Sequence, residues 1–285
     1  MRSHTVVWRI ASACLLALAL LPLHASADQV PYVPTPMNVV DAMLSLANVG
    51  PKDMVFDLGS GDGRIVIEAA RRYGARAVGI ELDPALVAKS QAAAKRAGVA
   101  DRATFLRQDI FLTDFQQATV LTLYLLPDVN LQLRPRILFE LRPGTRIVSH
   151  DWDMDDWEPD RTLVIEAPDK PIGGTPESRI YLWTVPARLA GQWRGTLSGP
   201  QGEEPVRIEF LQKFQTLSAT LWLPRASMAG EGRLQGAAGT LRLKRSGPLG
   251  PGSLEFRLRS ADGRIEGEAL DGAQRYVLKA KRILN

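Results

Sequence analysis

Apolar positions in the first two thirds of the chain fall into two alternating patterns. Short, largely apolar runs at residues 54–58, 77–81, 103–107, 119–125 and 145–149 have the length and character of strands. The run at 119–125 is almost wholly apolar, as a strand buried on both faces should be. Between the runs the spacing turns helical: Val39, Val40, Met43, Leu44, Leu46 and Ala47, then Ile65, Ile67, Ala69 and Ala70, then Ala85, Val87, Ala88, Ala92 and Ala93. A further helix is predicted over 129–141, kinked or delayed by Pro135. Asn38 is placed to cap the first helix, and Asp83 followed by Pro84 to open the third. Strand and helix in alternation predict an α/β fold with a parallel sheet covered on both sides. Residues 162–167 and 179–185 read as two more strands, joined by a turn rich in Pro and Gly. Beyond Gly191 the period changes to two. Stretches at 192–197, 206–211, 216–223, 239–243, 254–258, 264–269 and 275–280 alternate apolar with polar, which predicts a small antiparallel barrel or sandwich.

One stretch, MVFDLGSGDGRI from Met54 to Ile65, stands apart. It joins a strand to a helix through Gly59, Gly61 and Gly63, residues that tolerate positive φ and let a ligand lie against bare backbone. A dinucleotide site needs G-x-G-x-x-G, and here the third glycine arrives one residue early. Asp57 would also obstruct a pyrophosphate. Eighteen residues past Gly63, Glu81 ends a second strand, where an acid chelates ribose hydroxyls. An acid beside the first glycine and another ending the next strand suit a nucleoside joined to a zwitterion.

The D-x-G-x-G-x-G run, the acid in Ile80-Glu81-Leu82-Asp83-Pro84 and the later Gln108-Asp109 resemble the class I S-adenosylmethionine-dependent methyltransferases in order and interval. Val30-Pro31-Tyr32-Val33-Pro34, then DLGSGDGRIVI, then Trp157-Glu158-Pro159-Asp160 narrow the likeness to the ATP synthase c-subunit lysine methyltransferase family and its bacterial relatives. The resemblance spans residues 30–185. It implies a Rossmann-like, seven-stranded methyltransferase sheet over residues 28–186, with the all-β domain, at 190–285, outside it. It further implies S-adenosyl-L-methionine as cofactor, held by Tyr32, Thr35, Asp57, Gly59, Ser60, Gly61, Gly63, Glu81 and Asp109. For Asp109 an adenine contact is favoured over a helix cap or turn acid. The proline-rich arm before the first helix either closes over the glycine loop or is a plain lead-in.

Tyr124-Leu125-Leu126-Pro127 ends the fourth strand, at the edge where ligands sit in open α/β sheets. Many amino methyltransferases carry an Asn/Asp-Pro-Pro-aromatic quartet there, which this chain lacks. Tyr124 and Pro127 are therefore the acceptor-channel candidates. Residues 150–158 form an acidic, aromatic lip. Trp152 and Trp157 either dock a cationic substrate through cation–π contact or pack inward beneath a solvated loop. His150 reads as a polar strand-end residue. Gly191-Gln192-Trp193 is similar to the opening of lipocalin and avidin barrels, where the tryptophan plugs the base; a plain core tryptophan explains it equally well, and no ligand is assigned to this domain.

The expected activity is methyl transfer to a protein lysine. A small-molecule methyltransferase and an exported S-adenosylmethionine-binding module without catalysis are the alternatives. Arg2 and Arg9, the apolar run at 10–21 and Ala25-Ser26-Ala27 make residues 1–27 a cleaved signal peptide, so the mature protein is expected to be secreted or periplasmic, away from a cytoplasmic cofactor. Removing that segment leaves 33 basic against 31 acidic side chains, a net of +2, and no basic run, which argues against a nucleic-acid partner. Cys14, the one cysteine, leaves with the signal, so no disulfide or thiolate metal site is expected.

Overall fold

In the computed structural model, seven strands form a sheet in the order β3-β2-β1-β4-β5-β7-β6. They are β1 (Met54–Leu58), β2 (Arg76–Glu81), β3 (Ala103–Arg107), β4 (Val120–Leu123), β5 (Arg146–His150), β6 (Arg161–Glu166) and β7 (Glu177–Thr184). All neighbours run parallel except β7, which is antiparallel to both β5 and β6. The structure describes residues 32–171, 175–245 and 252–283. Residues 1–27, read above as a signal peptide, and Cys14 with them, lie outside these residues. Tyr32 belongs with the segment preceding it and is exposed; the unit discussed below begins at Val33.

The sheet is apolar on both faces because helices cover both. Val55, Val120 and Val148 meet Val39, Met43, Val66 and Ala69 from α1 (Met37–Leu46) and α2 (Arg64–Tyr73), with Val87 of α3 (Pro84–Arg96) in the same cluster. Phe56, Leu58, Leu121, Leu123 and Ile147 face the other way, onto Leu133 and Ile137 of α4 (Pro127–Glu140). Successive residues of each central strand thus serve opposite layers.

Local chemistry explains where the elements begin. Asp83 accepts a hydrogen bond from the Ala85 amide at 2.7 Å, with Pro84 in the first helical position, as its sequence foretold. Asn38 does not cap α1; Pro36 takes that place, and the Asn38 amide donates to the Glu166 carbonyl on β6 at 2.7 Å. Strand β4 is shorter than the apolar run implied. Pro127 opens α4, earlier than the expected residue 129, and holds Leu126 extended, so residues 124–126 become a connector at the sheet edge. Pro135 lies inside α4.

The all-β region is a closed barrel, not a sandwich. Its strands are β8 (Gly191–Gly199), β9 (Gly202–Lys213), β10 (Thr216–Trp222), β11 (Ser227–Gln235), β12 (Ala238–Arg245), β13 (Gly252–Ala261), β14 (Arg264–Asp271) and β15 (Gln274–Arg282). Each pairs with its sequence neighbours, and β15 pairs with β8 to close the ring. Strand β11 has no counterpart among the stretches read from the sequence. Gly230 and Gly232 blank its alternation; a side chain at Gly230 would run into the Arg242 carbonyl on β12. Side chains fill the barrel, among them the fully buried Trp193, Phe210 and Phe256. The indole of Trp193 donates to the Leu189 carbonyl at 2.8 Å, and the Arg282 guanidinium lies 4.7 Å from its ring.

The tight β9–β10 turn joins the barrel to the sheet. Phe214, at φ 50°, stacks on Trp157 with centroids 5.7 Å apart, and Trp157 meets Trp183 of β7 on another side. The Gln215 amide donates to the Glu158 carbonyl at 2.7 Å, and Arg233 pairs with Asp160 at 3.0 Å. Trp157 is 1% exposed. It therefore has no face to offer a substrate, and its docking role is withdrawn in favour of packing. Trp157→Ala should lower unfolding stability by about 3–5 kcal/mol in urea titration, the usual cost of emptying a buried tryptophan site.

Candidate active site

Strands β1 to β5 are parallel and all end at one edge, so the residues after them share a neighbourhood. The strand order reverses between β1 and β4, the usual ligand crevice of such sheets. Gly59, Gly61 and Gly63 adopt φ of 76°, 53° and 80°, a conformation unfavourable for side-chain-bearing residues. A β-carbon at Gly59 would lie 2.8 Å from Leu125, and one at Gly63 2.6 Å from the Phe105 ring.

Four of the loop's amides are already engaged, three of them by β2. Gly59 and Ser60 amides donate to the Ile80 carbonyl, the Gly63 amide to Ser60, and the Gly61 amide to Glu81 Oε2, each at 2.9 Å. Its complementarity to a ligand thus rests on shape and on carboxylates more than on idle amides. Ser60 is buried, and its Oγ has no hydrogen-bond partner among the described residues.

Those carboxylates converge. Asp57, 3% exposed, accepts from Thr122 Oγ1 at 2.7 Å. Burial, reinforced by the nearby charges of Glu81 and Asp62 and opposed by the Thr122 bond, pushes its carboxyl up to about 7. Glu81 takes the Gly61 amide on one oxygen and the Leu82 and Asp83 amides on the other, at 2.7 and 3.0 Å. A carboxylate offers about four acceptor sites, so one remains. Asp62 is bridged by Arg64 at 2.7 Å, and Arg64 also donates to the Thr35 carbonyl at 2.7 Å. Thr35, in the short segment before α1, is therefore tied to the glycine loop through Arg64 and Asp62. Asp109 is exposed and accepts from the Phe111 amide at 2.8 Å, an Asx turn.

Thr35 leads to a residue undervalued in the sequence. His150 ends β5, fully buried, with Nδ1 3.4 Å from Thr35 Oγ1 and Nε2 2.9 Å from Ser178 Oγ. Its ring packs on that of Tyr124, with centroids 4.0 Å apart. Burial lowers the imidazole to about 4, despite Asp151 3.4 Å away and with Lys170 adding to the shift, so the ring is neutral at pH 7. Burial, with the Asp151 charge, pushes the Tyr124 phenol up to about 12. Tyr124 follows the end of β4 directly and His150 ends the neighbouring β5, at the same edge, a positional signal already present in the sequence. Pro127, by contrast, sits exposed at the start of α4.

The acidic lip is partly neutralised from within. Asp151 pairs with Lys170 at 2.8 Å, and Asp156 with Arg134 at 2.7 Å and Lys213 at 3.1 Å. Trp152, 41% exposed, and the exposed Asp153, Asp155, Asp156 and Glu158 are what the lip presents outward.

A cradle of bare glycines beside three carboxylates, one of them a buried acid, fits a cationic nucleoside–amino acid conjugate. With the strand order, it defines a class I S-adenosylmethionine-dependent methyltransferase. Residues 57–161 match the model of the ANTKMT methyltransferase domain. A protein-lysine N-methyltransferase of Saccharolobus islandicus is 40% identical over 157 residues, covering 55% of this chain and 94% of that protein. The ATP synthase c-subunit lysine N-methyltransferase of Rattus norvegicus is 36% identical, over 46% of this chain and 60% of its own length. A solved RNA methyltransferase of Salinibacter ruber, in complex with S-adenosyl-L-homocysteine, is 54% identical with a TM-score of 0.50, covering 55% of this chain and 96% of its own. The chain belongs to the ANTKMT methyltransferase domain family, and its cofactor is S-adenosyl-L-methionine. The barrel lies outside the matched domain.

Asp57 must be ionised to face a cation, so cofactor affinity should fall as pH drops below about 7, by up to tenfold per unit, and level off above it. Because its folded pKa is raised, the buried charge weakens the free fold as pH rises through 7. Asp57→Asn should flatten the titration profile, weaken binding at pH 8 and raise the melting temperature of the free protein. Glu81→Ala should cut affinity by about tenfold or more in calorimetric titration, as expected for losing a charge-assisted bond.

Proposed function

We propose that this methyltransferase acts on the ε-amino group of a lysine in a protein. The observation that carries this reading is the pairing of Tyr124 with His150 near the glycine loop, behind a lip whose outward groups are Trp152 and the carboxylates of Asp153, Asp155, Asp156 and Glu158. Such a lip attracts an ammonium and offers it an aromatic face. The names of the archaeal and rat relatives agree with it.

In this reading the glycine loop takes the methionine portion of the cofactor. Asp57 offsets its positive charge, Thr35 lines that portion, Glu81 receives the ribose hydroxyls and Asp109 the adenine amine. When bound, the cofactor supplies an electrophilic methyl group on a sulfonium. The neutral His150 braces Tyr124 and fastens Thr35 of the arm. The Tyr124 phenol stays protonated at neutral pH, so it steers the acceptor amine as a hydrogen-bonding group and does not remove its proton as a base. The lysine ammonium then releases its proton to solvent as it enters the site, favoured by desolvation there. Holding the amine on the transfer axis contributes roughly 7–11 kcal/mol. We place this activity outside the cytoplasm, after removal of residues 1–27, with the cofactor supplied there.

The name of the Salinibacter ruber protein favours a second reading, transfer to RNA. Radiolabelled cofactor incubated with bacterial extract separates the two. Label should enter protein, survive nuclease and be recovered as methyl-lysine, and Tyr124→Phe should lower kcat by about tenfold or more while leaving cofactor affinity unchanged. Label recovered only in RNA or metabolites would sink the lysine reading.

A further inference from the structure

The barrel carries a charge arrangement that the linear sequence conceals. Residues 187–285 hold sixteen basic and nine acidic side chains, a net of +7, whereas residues 28–186 hold 17 and 22, a net of −5. The excess is concentrated in one row across the barrel wall. Trp222 on β10 stands opposite Arg207 on β9, Arg207 opposite Arg194 on β8, Arg194 opposite Lys281 on β15, and Lys281 opposite Arg264 on β14. All four cations are exposed, and among the described residues none forms an ion pair. No acid stands in the row; Glu209 and Glu266 lie one row to either side, facing Gln192 and Lys279.

Like charges set directly opposite on neighbouring strands destabilise a sheet. Elsewhere this barrel avoids them: Arg242 faces Glu255, Arg257 faces Glu268 and Arg259 faces Glu266. Three consecutive unrelieved cation pairs call for an anion from outside. The row ends on an aromatic, with the Arg207 guanidinium 4.8 Å from the Trp222 ring.

We propose that this row binds a single-stranded nucleic acid, the four cations following its phosphates and Trp222 stacking on a base. Strands are spaced about 4.8 Å apart, so the row extends for about 19 Å, room for about four nucleotides, the lower end of site sizes for small β-barrels. The barrel wall curves, and a flexible strand can follow that curve where a flat bilayer touches only its crest. That geometry favours a nucleic acid over an anionic membrane.

The test is fluorescence anisotropy of a labelled 12-nucleotide oligouridine with the full-length protein between 50 and 200 mM KCl. Binding should weaken with salt, with a log–log slope of about −2 to −3 for three or four neutralised phosphates. Arg194→Glu with Lys281→Glu should reduce affinity at least tenfold and flatten that slope, with a melting temperature no lower than the parent's, since two of the three like-charge pairs become opposite-charge pairs. Trp222→Ala should weaken binding without changing the slope, whereas Arg257→Glu, outside the row, should leave it intact. Absence of binding by the parent, or parent-like binding by the double variant, would overturn the proposal. So would capture by phosphatidylglycerol vesicles with no binding of the oligonucleotide.

Discussion

A concentration of negative charge at the end of β1 sets the conditions for the rest of the site. Asp57 is buried among neighbours that oppose its ionisation, and Glu81 and Asp62 add to the field. The sheet imposes this closeness, because β1 lies between β2 and β4 and puts Asp57 level with Gly79 and Thr122. Gly79 has no side chain to spare; Ser60 and Phe105 already occupy the space one would take. Without a cation the fold tolerates this charge by protonating Asp57 near neutrality. A sulfonium or ammonium relieves the same conflict, so the groups that make the free protein less comfortable are the ones suited to hold the cofactor.

Around that centre the other elements work as braces. Arg64 ties Thr35 to the glycine loop through Asp62, and His150 ties the same threonine to β5 and Ser178. On the far side of the lip, the β9–β10 turn inserts Phe214 and Gln215 against Trp157 and Glu158. The loop after β5 is therefore held from both ends. Its two tryptophans have parted company: one is a structural pin, the other faces solvent.

Much of this was legible in the sequence, and the exceptions have physical reasons. Alternating strands and helices and the antiparallel closing pair are local patterns, and the sheet bears them out; the glycine loop with its two acids is equally local, and the structure places it at the sheet's ligand edge. The likeness to lysine methyltransferases of the ATP synthase c-subunit type is borne out by the relatives. Trp157 could not be placed from its own neighbours, because what buries it is a turn nearly sixty residues away. Strand β11 escaped because glycines stand where its alternation should show. His150 reads from its neighbours as a lone polar residue; its place beside the end of β4 carries the information. The cationic row was invisible for a similar reason: its members come from four strands, and only the pairing register lines them up.

Closure of the barrel links the two ends of that region. β8 and β9 are hydrogen-bonded early in the sequence, but the outer edge of β8 finds its partner only in β15. During synthesis, then, the ring must wait for its final strand, with an unsatisfied row of amides and carbonyls on β8 in the interval. The β9–β10 turn meets no such delay and can seat against the finished methyltransferase sheet before the ring shuts. The catalytic half is thus positioned to serve as a template on which the slower, non-local half is completed.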